Sequence, residues 1–439
     1  MGRTYDLIVA GAGPAGLMAA KTAGENGLNV ALLERKATAC KIMRVDGGAL
    51  GINEELFGEL LTYNERDRRL CFPVHGFSIA YDGPVESVYG FQIFSPGGRR
   101  ILFGDWDAAA KLGKEVRVGI AVSKEKLLEG LLHEAGQCSV SLFAGTNVTG
   151  IEKSGDLVSV ETDRETFKAP FVIAADGVNS RIARILGYNR GRKFTGTWRY
   201  LGWELEGDIP VDPGSFLFIL AQSGTFSLLP TCKAHHYHLG IFTFDMKINL
   251  RAAMETFWND DETFSPWFLK ARKVGINNCV VNELSPVQDP FRDNVLLIGD
   301  AAWSREFSNM ASLCSGWRAA HEVTRALLLK KHDREGIAAY LTWWDTYFYG
   351  PHGAVEFPPG ELQDFLCADD IDYLVGLVEK PFPATLNFYS LFKQLGNTYG
   401  GLLERVQEER PEVMDKLITM RSSFDELWEA QRKQGFVNR

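Results

Sequence analysis

A glycine-rich loop near the start of the chain has the residue spacing that binds dinucleotide phosphates. Gly11, Gly13 and Gly16 follow the apolar run 5–10 and precede a stretch of small and apolar residues. In such a loop the first glycine permits a tight turn, the second admits a pyrophosphate, and the third lets the helix approach the strand. Glu34 ends the next apolar run, where a carboxylate accepts hydrogen bonds from ribose hydroxyls. We therefore predict a dinucleotide site in this βαβ unit.

Two later segments each end an apolar run in a glycine beside an aspartate. The first contains Asp176 and Gly177, and the second contains Gly299 and Asp300. Each pair alone is an ordinary turn signal. Because each follows a run typical of a buried parallel strand, the pairs would lie at strand ends, where α/β proteins bind nucleotides. We predict that all three segments converge on one extended dinucleotide.

In this order the segments resemble the flavin motifs of the p-hydroxybenzoate-hydroxylase-like flavoprotein superfamily, from residue 5 to about 330. The resemblance implies FAD as cofactor, with Asp176 near the pyrophosphate and Asp300 accepting hydrogen bonds from the ribitol chain. Its Asp-Gly motif is linked to nicotinamide use, so NADH or NADPH is a candidate reductant, although no separate domain for it is evident. The FAD contacts we predict are Gly11, Gly13, Pro14, Ala15, Gly16, Glu34, Arg35, Arg44, Gly47, Gly48, Lys124, Val148, Asp176, Gly177, Gly299 and Asp300.

One loop resembles that of the geranylgeranyl reductase family within this superfamily. Gly47, Gly48 and Ala49 match its Cys-Gly-Gly sequence, but Asp46 stands in place of the cysteine. We predict that Asp46 is a general acid, which requires that a buried site raise its pKa; the alternative is that it caps a turn. We also predict a catalytic role for Arg44, which lies where relatives contact FAD or substrate. The alternative for Arg44 is a solvated side chain.

The chain departs from the superfamily pattern after Asp300. Ser312 and Cys314 replace the two glycines of a Gly-x-Gly sequence that lies against the flavin ring in relatives. We expect a helix near residues 316–330, whose N-terminus would direct its partial positive charge at the flavin pyrimidine. Cys314 either touches the flavin or is a small buried residue, and Trp303 either walls the active site or belongs to the core.

The second, β-rich part of the chain suggests a place for an apolar substrate. Residues 226–230 and 239–242 are a weak form of the aromatic-Pro-Gly substrate motif of geranylgeranyl reductases, without its tryptophan. Aromatic side chains of this part would wall an apolar cavity, or form ordinary core. They are Phe216, Phe218, Phe226, Phe242 and Phe244.

The elements that must hold these residues predict an α/β fold. We expect a Rossmann-type, glutathione-reductase-like, three-layer FAD-binding domain, interrupted by an antiparallel β-sheet substrate domain and followed by a C-terminal helical region. The boundaries predicted for the FAD-binding domain are 1–75, 116–185 and 285–335, those for the substrate domain 76–115 and 186–284, and that for the helical region 336–439.

Composition limits the partners and the compartment. The 439 residues carry a net charge of -9, which argues against a nucleic-acid partner. Seven scattered cysteines without Cys-x-x-Cys spacing indicate reduced thiols in a cytoplasmic protein. We predict no transmembrane segment, while peripheral membrane contact stays open, and the sequence does not indicate an oligomeric state. His236 and His238 share a strand face, but no third ligand is visible, so we predict no metal site.

Three functions are compatible with these features. The first is reduction of carbon–carbon double bonds in an apolar small molecule, with hydride from reduced FAD and a proton from a nearby acid. The second is aromatic hydroxylation with NAD(P)H and dioxygen; a halogenase would carry a Trp-x-Trp-x-Ile-Pro sequence, which this chain lacks. The third is a non-catalytic escort of prenylated proteins, which would not need ribose and ribitol contacts.

Overall fold

The computed structural model describes residues 3–42, 48–221, 223–303, 309–350 and 362–434, and these form a mixed α/β fold with a helical C-terminal part. This agrees with the predicted class. The division into an FAD-binding domain, a substrate domain and a helical region remains a prediction.

The helices and strands are numbered in chain order. The helices are α1 Pro14–Glu25, α2 Trp106–Leu112, α3 Lys124–Gly136, α4 Arg181–Ile185, α5 Leu250–Asn259, α6 Met310–Leu328, α7 Ala338–Trp344, α8 Ala368–Gly376, α9 Phe388–Glu409 and α10 Pro411–Gln434. The strands are β1 Arg3–Thr4, β2 Leu7–Ala10, β3 Val30–Glu34, β4 Ala49–Gly51, β5 Glu55–Leu56, β6 Glu59–Leu60, β7 Thr62–Asn64, β8 Arg69–Phe72, β9 Phe77–Ala80, β10 Val85–Val88, β11 Gly90–Phe94, β12 Arg100–Phe103, β13 Gly119–Val122, β14 Val140–Ala144, β15 Val148–Ser154, β16 Leu157–Thr162, β17 Thr166–Ala169, β18 Phe171–Ala174, β19 Phe194–Gly207, β20 Ser215–Ala221, β21 Gly224–Pro230, β22 His236–Thr243, β23 Ala271–Leu284, β24 Phe291–Arg292 and β25 Val295–Leu297.

A six-stranded sheet of order β14-β3-β2-β18-β25-β24 carries the predicted nucleotide motifs. All of its pairings are parallel except that of β24 with β25. Its central strands are apolar and fully buried, because α1 and α6 contact them and so do β16 and β17. The neighbouring strands β2, β18 and β25 end at Ala10, Ala174 and Leu297, so their carboxyl ends lie side by side at one edge.

A seven-stranded sheet of order β12-β11-β20-β21-β22-β19-β23 separates two apolar clusters. Along β20, Phe216 and Phe218 point to one face and Leu217 and Ile219 to the other, as the two-residue period of a strand requires. The first face packs against the C-terminal helices, including Ile371 of α8, and the second against α5. Within the described ranges, no helix is long and apolar enough to cross a membrane.

Helix α6 begins at Met310, two turns before the start that we predicted from the sequence. Its first turns contain small and polar residues, and no side-chain cap marks their beginning. Packing on α1 fixes this segment as helix: a Cβ atom on Gly316 would lie 2.3 Å from the carbonyl oxygen of Ala15. Tertiary packing therefore overrides weak local helix signals here.

Residues 76–115 form strands, as predicted, but these strands belong to three different sheets. β9 pairs with β8, β10 pairs with β13, and β11 joins the seven-stranded sheet, where its partner β20 runs parallel to it. The segment also contains helix α2, whose N-cap Asp105 accepts a hydrogen bond from the Ala108 amide. Alternating apolar residues predict a strand but do not identify its neighbour.

Candidate functional site

The glycine loop after β2 combines two tightly packed glycines with an open one. A Cβ atom on Gly11 would lie 2.2 Å from the Ala175 oxygen, and one on Gly16 would lie 1.8 Å from the Gly11 oxygen. A Cβ atom on Gly13 would meet nothing within 4 Å. Gly13 is also the N-cap of α1 and provides no side-chain cap. The loop thus leaves open space in front of a helix N-terminus, the arrangement that accepts phosphate groups.

Glu34 holds this loop in place from the end of β3. Its carboxylate is 5% exposed and accepts hydrogen bonds from the Ala12 amide at 2.7 Å and the Lys36 amide at 2.8 Å. The Glu34 carbonyl accepts a further bond from the Thr146 amide at 2.9 Å, which brings the turn before β15 to the same place. Glu34 therefore has a structural role here, and its contact with a ribose remains a prediction.

The remaining predicted adenosine-side contacts lie on separate elements. Arg35 is exposed directly after β3, and Lys124 is the half-buried first residue of α3. Val148 begins β15, and its carbonyl oxygen accepts a hydrogen bond from Arg181 at 3.2 Å. The Arg181 bond joins the start of β15 to the segment after the Asp-Gly pair. Contacts of these three residues with FAD stay predictions.

The Asp-Gly segment after β18 lies next to the glycine loop. The Ala175 amide donates to the Ala10 carbonyl at 2.8 Å, and Gly177 adopts a φ of 88°. Asp176 accepts hydrogen bonds from the Ser180 hydroxyl at 2.5 Å and the Ile182 amide at 3.1 Å. Burial raises the pKa of Asp176 above its ordinary value. The Asp176 carboxylate thus organises the turn into α4, a role that sequence analysis did not predict.

The Gly-Asp segment after β25 completes the site. The Ile298 amide donates to the Ala174 carbonyl at 3.0 Å, which places this segment beside the Asp-Gly segment. A Cβ atom on Gly299 would lie 2.8 Å from the Ala15 Cβ, and the Gly299 amide donates to the Ser315 hydroxyl at 3.2 Å. The three segments, more than a hundred residues apart in sequence, thus meet at one edge of the six-stranded sheet.

Asp300 borders a small cavity beneath the first turns of α6. The cavity is lined by Gly299, Asp300, Trp303, Ala311, Ser312, Ser315, Trp344 and Phe348. Asp300 is exposed at its rim, and the half-buried Ser312 contributes to its wall. Cys314 is 5% exposed and is packed in the core, which agrees with the buried alternative. Trp303 is 3% exposed and also lines the cavity, so it is both core and wall.

An aromatic wall from the C-terminal part was missed in the sequence. Phe348 stacks on Phe57 with ring centroids 4.9 Å apart and meets Trp303 edge-on at 5.2 Å. The indole of Trp344 donates to the Val287 carbonyl at 2.8 Å. The helical spacing of residues 344 and 348 was the available signal, but only the tertiary structure shows which residues they contact.

Four of the five phenylalanines predicted to wall a cavity or form core belong to apolar core clusters, and they do not all share one face of the seven-stranded sheet. Phe216, Phe218 and Phe242 belong to one apolar cluster, so they share a face of the seven-stranded sheet. Phe226 lies in the cluster on the other face, where it stacks on Phe257 of α5 at 3.9 Å. The physical reason is that successive side chains of a strand point to opposite faces of the sheet. An uninterrupted apolar run such as β21 does not show which of its side chains point to which face.

Several predicted residues lie outside the described ranges. They are Arg44 and Asp46, to which we assigned catalytic roles, and Gly47. Their neighbour Gly48 is described, with a φ of 57°, and its carbonyl accepts a hydrogen bond from the Val122 amide at 2.6 Å. The backbone amide of Asn309, which precedes α6, donates a hydrogen bond to the Ala49 carbonyl at 3.2 Å. The end of the predicted reductase loop therefore lies beside the N-terminus of α6.

The histidines near β22 have separate partners. His235 pairs with Asp208 at 2.8 Å on the surface, and the His236 ring contacts the Ala234 carbonyl at 3.0 Å. In the described part of the chain, no group of three or more histidine, cysteine, aspartate or glutamate side chains could hold a metal ion.

Comparison with known proteins gives a consistent set of matches. Residues 4–305 match a family model described as an FAD binding domain. Digeranylgeranylglycerophospholipid reductase 1 of Methanococcoides burtonii is 28% identical over 194 residues, which are 43% of this chain and 41% of that protein. The chain thus spans less than half of that relative. Digeranylgeranylglycerophospholipid reductase 2 of Methanopyrus kandleri is 28% identical over 316 residues, or 68% and 70% of the two chains.

A solved structure extends the likeness over nearly the whole chain. It is a geranylgeranyl bacteriochlorophyll reductase-like protein from Thermoplasma acidophilum, with a TM-score of 0.68 and 20% identity. The match covers 96% of this chain and 100% of that one. At this identity the likeness concerns the fold, including the C-terminal helical part.

Proposed function

Because the chain belongs to the FAD-binding oxidoreductase family whose model spans residues 4–305, we propose that it reduces carbon–carbon double bonds in an apolar organic substrate. The convergence of the Gly11, Asp176 and Gly299 segments at one sheet edge carries the FAD-dependent part of the proposal, and the similarity to a geranylgeranyl-lipid reductase over 68% of the chain favours alkene reduction. FAD, when bound and reduced, supplies the hydride, and an acid of the protein supplies the proton, so that both atoms add across the double bond.

The residues at the sheet edge fit an extended dinucleotide. The open side of Gly13 leaves room for the pyrophosphate at the N-terminus of α1, and Asp300 at the cavity rim would accept hydrogen bonds from ribitol hydroxyls. The first turn of α6 would face the flavin pyrimidine and stabilise negative charge there. Ser312, whose hydroxyl stands where relatives have a glycine, would border the ring.

The apolar face of the seven-stranded sheet supports the choice of substrate class. Phe91, Phe216 and Phe218 form a buried aromatic group on that face, with Phe91 and Phe218 stacked at 5.8 Å. The cluster also contains Ala49 of β4, the residue whose carbonyl accepts the Asn309 amide beside α6. An apolar chain would have to enter between this face and the C-terminal helices that cover it, where it would be shielded from water close to the proposed flavin position. The named relatives are reductases of geranylgeranyl lipids, which are substrates of this class.

Anaerobic half-reactions test the proposal directly. The purified protein is reduced with NADH, NADPH or dithionite, and the flavin absorbance is then followed on addition of an isoprenoid alkene or of dioxygen. We expect reoxidation by the alkene with a saturated product. Reoxidation by dioxygen with a hydroxylated aromatic product would instead establish the hydroxylase alternative. If the protein stays colourless with excess FAD, the non-catalytic escort function is the alternative that remains. The reduction step shows whether NADH or NADPH reduces the flavin.

Replacement of Asp300 by alanine is expected to weaken FAD binding by about tenfold to a hundredfold, since a charged hydrogen bond contributes roughly 1.5–3 kcal/mol. The urea midpoint of the apoprotein, measured for each variant, separates loss of a cofactor contact from loss of stability. Fluorescence titration with FAD measures the dissociation constant. Asp156→Ala, which removes an exposed aspartate from the turn between β15 and β16, is the matched control. Equal affinity in both variants would refute the ribitol contact.

Replacement of Asp46 by asparagine tests the proposed proton donor. We expect alkene-dependent reoxidation to slow by about a hundredfold or more, the usual contribution of general acid catalysis, while reduction of the flavin keeps its rate. An unchanged rate of alkene-dependent reoxidation would exclude Asp46 as the proton donor and favour its role as a turn cap.

A further inference from the structure

Arg192 is a buried arginine at the junction between the two sheets. It follows the 3-10 turn Tyr188–Gly191, precedes β19, and is 5% exposed. Within the described ranges, its guanidinium donates hydrogen bonds to neutral acceptors. They are the carbonyls of Ser285 at 2.6 Å, Ala302 at 3.2 Å, Ala301 at 3.4 Å and Leu284 at 3.5 Å, and the side-chain oxygen of Asn189 at 3.2 Å.

The charge of Arg192 is retained at a cost. Among the residues that the structure describes, no carboxylate lies within 4.0 Å of its guanidinium. Burial opposes the charged form and lowers the pKa of Arg192 to about 9, so the side chain is still protonated at pH 7. A buried cation is expensive without an anionic partner, and neutral carbonyls compensate for it only partly. An apolar side chain of similar size would fill the same space but would leave these acceptors without their hydrogen bonds, so the acceptors, and not packing alone, account for an arginine here.

The acceptors of Arg192 reveal what the side chain holds. Ala301 and Ala302 directly follow Asp300; Ala301 ends the 3-10 turn Gly299–Ala301 and Ala302 is its C-cap. Leu284 ends β23 of the seven-stranded sheet. One side chain therefore ties the turn that carries Asp300 to the end of a strand that belongs to the other sheet. The Val287 amide, which donates to the Ala302 carbonyl at 3.1 Å, closes the same connection.

We infer that Arg192 is a positioning residue for FAD, which acts by fixing the Gly299–Ala302 turn so that the Asp300 carboxylate is preorganised at the cavity. The inference rests on the proposed function, since it assumes that Asp300 binds the cofactor. The planar guanidinium suits this role because it binds four carbonyls of two segments at once, which the single ammonium of a lysine cannot do.

The test compares Arg192→Met and Arg192→Lys with Arg199→Met. Arg199 is a matched control because its guanidinium also donates to backbone carbonyls, those of Asp245 at 2.7 Å and Ile248 at 2.8 Å, on a loop that carries no FAD motif. We expect the FAD dissociation constant to rise at least tenfold in both Arg192 variants and less than twofold in the control. The urea midpoint of each apoprotein separates this effect from a general loss of stability.

A double-mutant cycle with Asp300→Ala shows whether Arg192 acts through Asp300. If it does, Arg192→Lys should raise the FAD dissociation constant at least tenfold in the wild-type background but less than threefold when Asp300 is already absent. Additive effects, or an unchanged dissociation constant in a folded Arg192 variant, would overturn the inference. Because the lysine variant keeps the charge, it serves even if the methionine variant does not fold. Wild-type protein that takes up no FAD would refute the proposed function itself.

Discussion

Replacement of Gly13 by valine is expected to abolish FAD retention while the protein remains folded. A Cβ atom at this position would meet no atom of the chain within 4 Å, and the backbone is extended, with φ −79° and ψ −177°, which valine adopts readily. The two methyl groups would instead occupy the space that we assign to the pyrophosphate. Because phosphate contacts at the helix N-terminus would be lost together, we expect an affinity loss of about a thousandfold or more, roughly 4 kcal/mol.

The measurement is the flavin absorbance of the purified variant and its FAD dissociation constant. Gly136→Val is the matched control, because Gly136 is likewise a glycine with nothing within 4 Å of its Cβ position, at the end of α3. The control should bind FAD like the wild type, and both variants should unfold at urea concentrations close to that of the wild type. Stoichiometric FAD in the Gly13→Val protein would contradict the assignment of the loop.

The motifs were predictable because each is a local signal with a local physical reason. Gly11 and Gly299 come after fully buried strands and Glu34 ends one, and the strands were evident as short apolar runs. Since the carboxyl ends of parallel strands share an edge, the order of the motifs was enough to predict their convergence. The apolar runs in the sequence do not show how the three segments are joined. In the structure, the Ala10 and Ala174 carbonyls accept the hydrogen bonds that join them.

The surroundings of the motifs could not be predicted, because they depend on contacts between residues far apart in sequence. The stacking of Phe348 on Phe57 joins two residues that no periodicity relates. Arg192, which lies in a polar stretch of Asn-Arg-Gly-Arg-Lys, had no signal that separates it from a solvated arginine. Phe226 had the right residue type, but an apolar strand buried on both faces does not reveal to which side a side chain points.

Replacement of Gly16 by alanine should have the opposite outcome to the Gly13 variant. We expect it to destabilise the folded protein directly, without removing a contact to the ligand. A Cβ atom on Gly16 would lie 1.8 Å from the Gly11 carbonyl oxygen and 3.2 Å from the Ala175 Cβ. The first neighbour is backbone, held by the bond from the Gly11 amide to the Leu33 carbonyl at 2.7 Å, so it cannot rotate away. Helix α1 must move off the sheet, at a cost of about 3 kcal/mol or more.

Urea unfolding of the apoprotein, followed by circular dichroism, measures this loss without reference to FAD. We expect a clearly lower midpoint for Gly16→Ala, or insoluble protein, while Gly136→Ala, which adds the same methyl group in open space on α3, keeps the wild-type midpoint. The pair Gly13→Val and Gly16→Ala thus separates two functions inside one six-residue motif. A Gly16→Ala apoprotein as stable as the wild type would show that α1 and β2 are not packed as closely as these distances require, and the proposed phosphate position, which depends on that packing, would fall with it.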